Sequence, residues 1–261
     1  MAKNWRGLPG RRAAFNRCAR TSLVFALLLF FGASAARCQS AGKTADGEPY
    51  SRLNTWSVFS EYSNTSQHIF LGVAQGRRIV SAGGEYARRL VVKPWFEFAY
   101  LAQARPLFFE SDPVLIGYRS VATGQIVQTF PKPQRVAARD STQFLLLPEN
   151  VIVEPFYGSQ WTYGGGLNPI GFKWSFLPGH RLQPVMTFSS GFVLSTRDLP
   201  VDRSESFNFT FELGFGLEYY FRPKHSLRFD YRVHHLSNAW VGFNNYGVDS
   251  NLFQLSYSFG K

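Results

Sequence analysis

Hydrophobic and polar residues alternate along several segments of the chain, most regularly over residues 207–221. One parity of this segment is entirely apolar: Phe207, Phe209, Phe211, Leu213, Phe215, Leu217, Tyr219 and Phe221. The other parity includes Asn208, Thr210, Glu212 and Glu218. Successive side chains of a β-strand point to opposite faces. The pattern therefore predicts a strand with one apolar face and one polar face.

Seven more segments show related patterns, and together they predict eight strands. The predicted strands cover residues 55–72, 79–90, 95–103, 160–176, 182–194, 207–221, 226–238 and 251–259. Short turns at 91–94, 177–180 and 222–225 alternate with longer connections at 105–158, 197–205 and 239–249. Short turns at one end and longer loops at the other are typical of outer-membrane barrels.

The direction of the apolar face distinguishes a membrane barrel from a soluble sandwich. The chain is 17% aromatic, and an apolar strand face longer than ten residues fits a membrane span with aromatic girdles. The charged residues of these strands would then fill the lumen and pair there: Glu212, Glu218, Arg228, Asp230 and Arg232. The sequence therefore predicts an all-β fold, an eight-stranded antiparallel transmembrane β-barrel.

The N-terminal region has the features of a secretory signal. Residues 1–38 contain seven basic residues and no acid. Six of the basic residues precede an apolar run, which is followed by small residues. We expect 1–38 to be cleaved, 39–54 to form a periplasmic leader and 55–261 to form the barrel. Without residues 1–38 the chain has 21 basic and 17 acidic residues, so its high pI gives no reason to expect nucleic-acid binding.

The segment at about 105–158 lacks a regular alternation and contains six prolines. Connections of this length are usually functional or disordered. The sequence predicts one long external loop here, with room for a small hairpin.

Two polar residues lie on the apolar parity near the end of the strand at 226–238. His235 and Ser237 follow Leu227, Phe229, Tyr231 and Val233 on the outward face, and Asp249 shares the outward parity of the last strand. Side chains of neighbouring antiparallel strands can approach one another. A hydroxyl, an imidazole and a carboxylate together can carry out acyl transfer. We therefore predict Ser237, His235 and Asp249 as a triad on the lipid-facing wall, with Asn238 or loop N–H groups stabilising the oxyanion.

The run His235-Leu236-Ser237-Asn238-Ala239, followed by an acid at the start of the final strand, resembles the lipid A 3-O-deacylase (PagL) family. The resemblance is weaker over the rest of residues 55–259. It implies an eight-stranded outer-membrane barrel that removes the ester-linked acyl chain at the 3-position of lipid A. By this match Ser237 is the nucleophile, His235 the base, Asp249 the acid and Asn238 the oxyanion residue. The family typically has Glu where this chain has Asp249.

Other interpretations remain open from the sequence. His234 is an alternative base, although its parity places it in the lumen. The chain could also be a non-enzymatic barrel, such as an adhesin or structural protein, or a phospholipase with the same triad. The predicted partners are lipid A or lipopolysaccharide as substrate, outer-membrane lipids, the barrel-assembly machinery and, as an open case, a second copy in a homodimer. No metal or cofactor is expected, and the predicted location is the bacterial outer membrane.

Overall fold

A computed structural model describes residues 50–139, 145–146 and 151–261 of the chain. These residues lie within one compact unit, Thr44–Lys261. The predicted signal peptide and residues 39–49 of the predicted leader fall outside the described residues. Within them, no helix is long and apolar enough to cross a membrane.

The described chain forms ten β-strands joined in one antiparallel sheet. They are β1 (Asn54–Ser63), β2 (Arg78–Lys93), β3 (Phe96–Ser120), β4 (Ile126–Arg135), β5 (Leu145–Leu146), β6 (Ile152–Phe176), β7 (Leu182–Leu199), β8 (Glu205–Arg222), β9 (His225–Ser237) and β10 (Val248–Gly260). All except β4 and β5 form a closed ring, because β3 pairs with β6 and β1 pairs with β10. The prediction of an eight-stranded antiparallel barrel is confirmed.

The connection at 105–158 differs from the long loop that the sequence predicts. β3 continues to Ser120, β4 covers 126–135, and β6 already begins at Ile152. Residues 110–114 are all buried, so both faces of β3 are covered there and the alternation that marks a strand is lost. Residues 140–144 and 147–150 of the expected loop lie outside the described part of the chain.

The first strand is also shorter than predicted. β1 ends at Ser63, whereas the alternation suggested a strand as far as Gly72. Asn64, Thr65 and Ser66 mark the point where the chain leaves the sheet. As a result, β10 extends beyond the end of β1, and this part of its edge is free to bind another segment.

Ion pairs fill the interior of the barrel, as the polar parity predicted. Arg105 binds Glu61 at 2.9 Å and Glu212 at 2.6 Å, and Arg232 binds Glu212 at 3.0 Å. Further buried pairs are Arg228–Glu85, Arg228–Asp230, Arg52–Glu218 and Lys173–Glu218. A buried charge is costly unless it is paired and hydrogen-bonded. The network therefore lets a narrow polar lumen exist without unpaired charges at these positions.

The outer wall is apolar, and its exposed side chains belong to the parity predicted to face lipid. Phe215, Leu217, Phe229 and Leu255 are each more than 40% exposed. Behind the wall, at the end where β9 leads to β10, the interior also contains apolar side chains. A buried cluster there contains Ala74, Ile79, Phe108, Val193, Leu199, Leu236, Val248 and Leu252. This cluster supports the strand ends that carry the predicted site.

Candidate functional site

His235 and Asp249 meet on the outer wall, where β9 and β10 pair. The strand register places the two residues directly opposite one another. Asp249 Oδ1 lies 2.5 Å from His235 Nδ1, and the aspartate side chain is fully buried. Because directly opposed residues have close Cβ atoms, the short aspartate side chain is long enough to reach the ring. The structure thus brings together two of the three residues predicted for the triad.

The second oxygen of the Asp249 carboxylate is held by backbone N–H groups from the β1–β2 connection. Ile69 and Gly72 donate to Oδ2 at 3.0 Å, and Phe70 donates at 2.5 Å. Three such bonds to one oxygen stabilise the ionised Asp249 carboxylate and fix the orientation of this side chain. We call residues 69–72 the acid cradle.

The acid cradle occupies the edge of β10 that β1 leaves uncovered. Ser66 forms a β-bridge with Ser250, Ala74 forms one with Val248, and Gln67 N donates to Asp249 O at 3.0 Å. The connection therefore lies along β10 as a partial strand. The fit is close at Gly72, where a Cβ atom would lie 2.5 Å from Asp249 N and 2.9 Å from Asp249 Cγ.

Arg77 fixes the far end of the same connection. Its side chain is fully buried and donates to Asp112 Oδ1 at 3.0 Å. It also donates to the backbone carbonyls of Gln75, Val136, Ala137 and Pro200, at 2.8–3.0 Å. All five N–H donors of the guanidinium are thereby used. Arg77 joins the end of the β1–β2 connection to three other parts of the barrel rim.

Ser237 lies two residues beyond His235 on the same face of β9, opposite Phe209 on β8. Its side chain is half-buried, and within the described residues its hydroxyl forms no hydrogen bond. The contact of Nδ1 with Asp249 leaves Nε2 as the ring nitrogen that can accept a proton. A serine hydroxyl within hydrogen-bonding distance of His235 Nε2 would complete the predicted triad.

Asn238 closes the loop that follows β9. It is buried, its Nδ2 donates to Asn244 O at 2.8 Å, and its Oδ1 accepts from Trp240 N at 3.1 Å. The next two residues, Ala239 and Trp240, have φ angles of 51° and 66°, a region that non-glycine residues seldom adopt. One Nδ2 hydrogen is therefore used in shaping the loop, and the amide has a second one.

His234 points into the lumen, where its Nε2 lies 3.9 Å from Glu212 Oε1. It is on the opposite side of the wall from Ser237, so the structure does not favour it as the base. The acid cradle was missed from the sequence because it acts through backbone N–H groups, which have no side-chain signature. Among the described residues, no cluster of three or more His, Cys, Asp or Glu side chains is arranged to hold a metal ion.

A closed antiparallel ring with an ionic lumen and an apolar outer wall defines an outer-membrane β-barrel, here with a histidine–aspartate pair on the lipid-facing wall. Residues 149–258 match the family described as "Lipid A 3-O-deacylase (PagL)". This segment is similar to that family, and the resemblance found in the sequence is confirmed over these residues.

Two solved structures are similar to the chain. "Crystal structure of the outer membrane enzyme PagL" has 13% identity and a TM-score of 0.46, covering 78% of this chain and 99% of that one. "Crystal structure of Neisserial surface protein A (NspA)" has 11% identity and a TM-score of 0.42, covering 80% and 97% respectively. No curated protein sequence matches the chain.

Proposed function

We propose that this protein is an outer-membrane serine esterase that removes the 3-O-linked acyl chain from lipid A. The observation that carries the proposal is the His235–Asp249 pair on the lipid-facing wall, with Ser237 on the same face of the same strand. The family match over residues 149–258 supports lipid A as the substrate.

In the proposed reaction, Ser237 Oγ attacks the ester carbonyl carbon and its proton passes to His235 Nε2. The tetrahedral intermediate collapses as the sugar oxygen leaves and takes that proton, and the acyl group stays on Ser237. Water then attacks the acyl-enzyme, His235 takes its proton and returns it to Ser237, and the fatty acid is released. Asp249 holds the ring with Nδ1–H directed toward its carboxylate and stabilises the imidazolium.

The oxyanion of each intermediate requires hydrogen-bond donors close to Ser237. The loop after β9 begins immediately after this serine, and Asn238 shapes it. The free Nδ2 hydrogen of Asn238 and the backbone N–H groups of this loop are the candidate donors. The substrate enters from the lipid, with its acyl chains along the apolar side chains of β8, β9 and β10.

Mass spectrometry of lipid A from cells that make the protein tests the proposal. Cells with the wild-type chain should contain lipid A that lacks one ester-linked acyl chain. The Ser237→Ala and His235→Gln variants should leave lipid A intact while still forming a folded barrel. His234→Gln is the matched control, since it makes the same change one residue away, inside the lumen, and should retain activity.

The same extracts show whether the activity is directed at another lipid. Loss of acyl chains from phospholipids, with unchanged lipid A, would assign the site to a phospholipase instead. If neither lipid changes in cells with folded wild-type protein, the esterase proposal is wrong.

A further inference from the structure

Two loops beside the His235–Asp249 pair expose large apolar side chains. The β1–β2 connection exposes Phe70, Leu71 and Val73, and the β9–β10 connection exposes Trp240, Val241 and Phe243. Leu71, Trp240 and Phe243 are 77%, 77% and 82% exposed. Contiguous apolar patches of this kind usually mark an interaction site. We call these six residues the apolar collar.

The two loops are joined and form one surface. Val73 N donates to Tyr246 O at 2.7 Å, and Ala74 N donates to Gly247 O at 3.1 Å. The first loop is also bonded to Asp249 through the acid cradle, and Arg77 fixes its end. Because the backbone of the first loop is held at several points, its exposed apolar side chains cannot be buried by a simple folding-back of that loop.

The position of the collar indicates what it contacts. Asp249 belongs to the outward parity of β10, and the acid cradle covers its carboxylate, so Phe70 and Leu71 lie on the outside of the barrel. Below the second loop, the wall continues with the exposed rings of Phe209 and Phe211, which pair with Ser237 and His235. The collar therefore extends the lipid-facing wall.

Charge gives a second, independent indication. Residues 68–75 and 239–247 contain no Lys, Arg, Asp or Glu. The β7–β8 connection and the strand ends beside it contain Arg197, Asp198, Asp202, Arg203 and Glu205. This connection adjoins the second loop, since Asn244 N donates to Arg203 O at 3.1 Å. A loop in water tolerates such charges, whereas a loop among acyl chains does not. The two loops beside the site are thus free of charged side chains, whereas the adjoining β7–β8 connection carries several.

We propose that the apolar collar is embedded in the acyl-chain layer of the surrounding lipid, so that the membrane surface lies higher on the side of the barrel that carries His235. Trp240 is suited to this role, because tryptophan favours the membrane interface. The partner is the lipid layer itself. This inference does not depend on the esterase proposal, since it concerns where the loops lie and not what the site hydrolyses.

Site-directed fluorescence in lipid vesicles tests the proposal. Cys18 and Cys38 are replaced by Ser, and an environment-sensitive nitrobenzoxadiazole probe is attached to Leu71→Cys or Phe243→Cys in the full chain. Leu255→Cys, on the outer wall, is the lipid control. Ala122→Cys, on the exposed turn between β3 and β4, is the water control.

Probes at positions 71 and 243 should emit at shorter wavelength and be quenched by spin-labelled phospholipid, as at position 255. The probe at 122 should be quenched by aqueous iodide. Iodide quenching at 71 and 243 would overturn the proposal. Protection of these probes from both quenchers would also overturn it and would indicate contact with a second protein copy. As a check without substitutions, a photoactivatable phospholipid should label peptides containing 68–75 and 239–247 in the wild-type chain; unlabelled peptides would also overturn it.

Discussion

Asp249 and His235 lie opposite one another on adjacent strands, with Oδ1 2.5 Å from Nδ1. The other carboxylate oxygen accepts three N–H groups from a segment about 180 residues earlier in the chain. The orientation of the imidazole is therefore set jointly by the last strand pair and by the first connection of the barrel.

Replacing Asp249 by Asn should lower kcat for lipid A hydrolysis by about 10⁴-fold, by analogy with the loss of the acid in other triads. The amide carries two N–H donors, so it cannot accept from both Nδ1–H and the acid cradle. Initial rates in detergent micelles measure the loss, and heat-dependent gel mobility checks that the barrel is folded. A variant with wild-type kcat would remove Asp249 from the mechanism.

Replacing Asp249 by Glu should also reduce activity, although glutamate is the acid typical of the resembled family. The carboxylate of Asp249 is fully enclosed between His235 and the acid cradle. One extra methylene in a filled site typically costs about 1–3 kcal/mol and displaces its neighbours. The measurement is kcat for the two carboxylates side by side. Equal or higher activity with Glu would mean that the cradle adapts to the longer side chain.

Gly72→Ala should lower kcat by up to about 10²-fold with little change in KM, because a misplaced orienting group costs rate more than binding. The added Cβ would lie 2.5 Å from Asp249 N, so the acid cradle must move. Gly84→Ala is the matched control, since the nearest atom to its added Cβ is 3.8 Å away.

A double-mutant cycle separates positioning from general damage. In the Asp249→Asn background, Gly72→Ala should cause little further loss of kcat, because the group that it misplaces has already been removed. Full additivity of the two losses would show that Gly72 acts on the site by another route.

Arg77→Met should reduce the free energy of unfolding by about 3–5 kcal/mol, the usual cost of breaking a buried ion pair. The change removes a donor from the buried carboxylate of Asp112 and from four backbone carbonyls. Arg78→Met is the matched control, since Arg78 is exposed at the next position. Urea unfolding in vesicles compares the two variants, and equal stability would contradict the role assigned to Arg77.

The alternation of apolar and polar residues was sufficient to predict a barrel with a polar lumen and an apolar outer wall. The parity of Phe207 to Phe221 predicted which side chains face lipid, and the parities of His235 and Asp249 predicted their meeting on the outer wall. Such predictions succeed because a strand has a fixed period and its neighbours have a fixed spacing.

The remaining parts of the site depend on backbone contacts between distant segments. Residues 69–72 bind Asp249 through N–H groups that every residue except proline has, so their identities do not reveal the contact. The continuation of β3 was hidden for a related reason, since residues 110–114 are covered on both faces and show no alternation. In both cases, the sequence did not indicate which distant segment packs against these residues.

Because β1 is short, the site combines segments from the first and the last strands of the barrel. The segment that shields Asp249 follows the first strand, whereas Asp249 is on the last, and the two meet on the part of β10 beyond the end of β1. Without the pairing of β1 and β10, His235 and Ser237 would still share a strand, but the Asp249 carboxylate would lack the N–H groups of the acid cradle. The complete His235–Asp249 arrangement, and with it the proposed hydrolysis, therefore requires the first and last strands of the barrel to have paired.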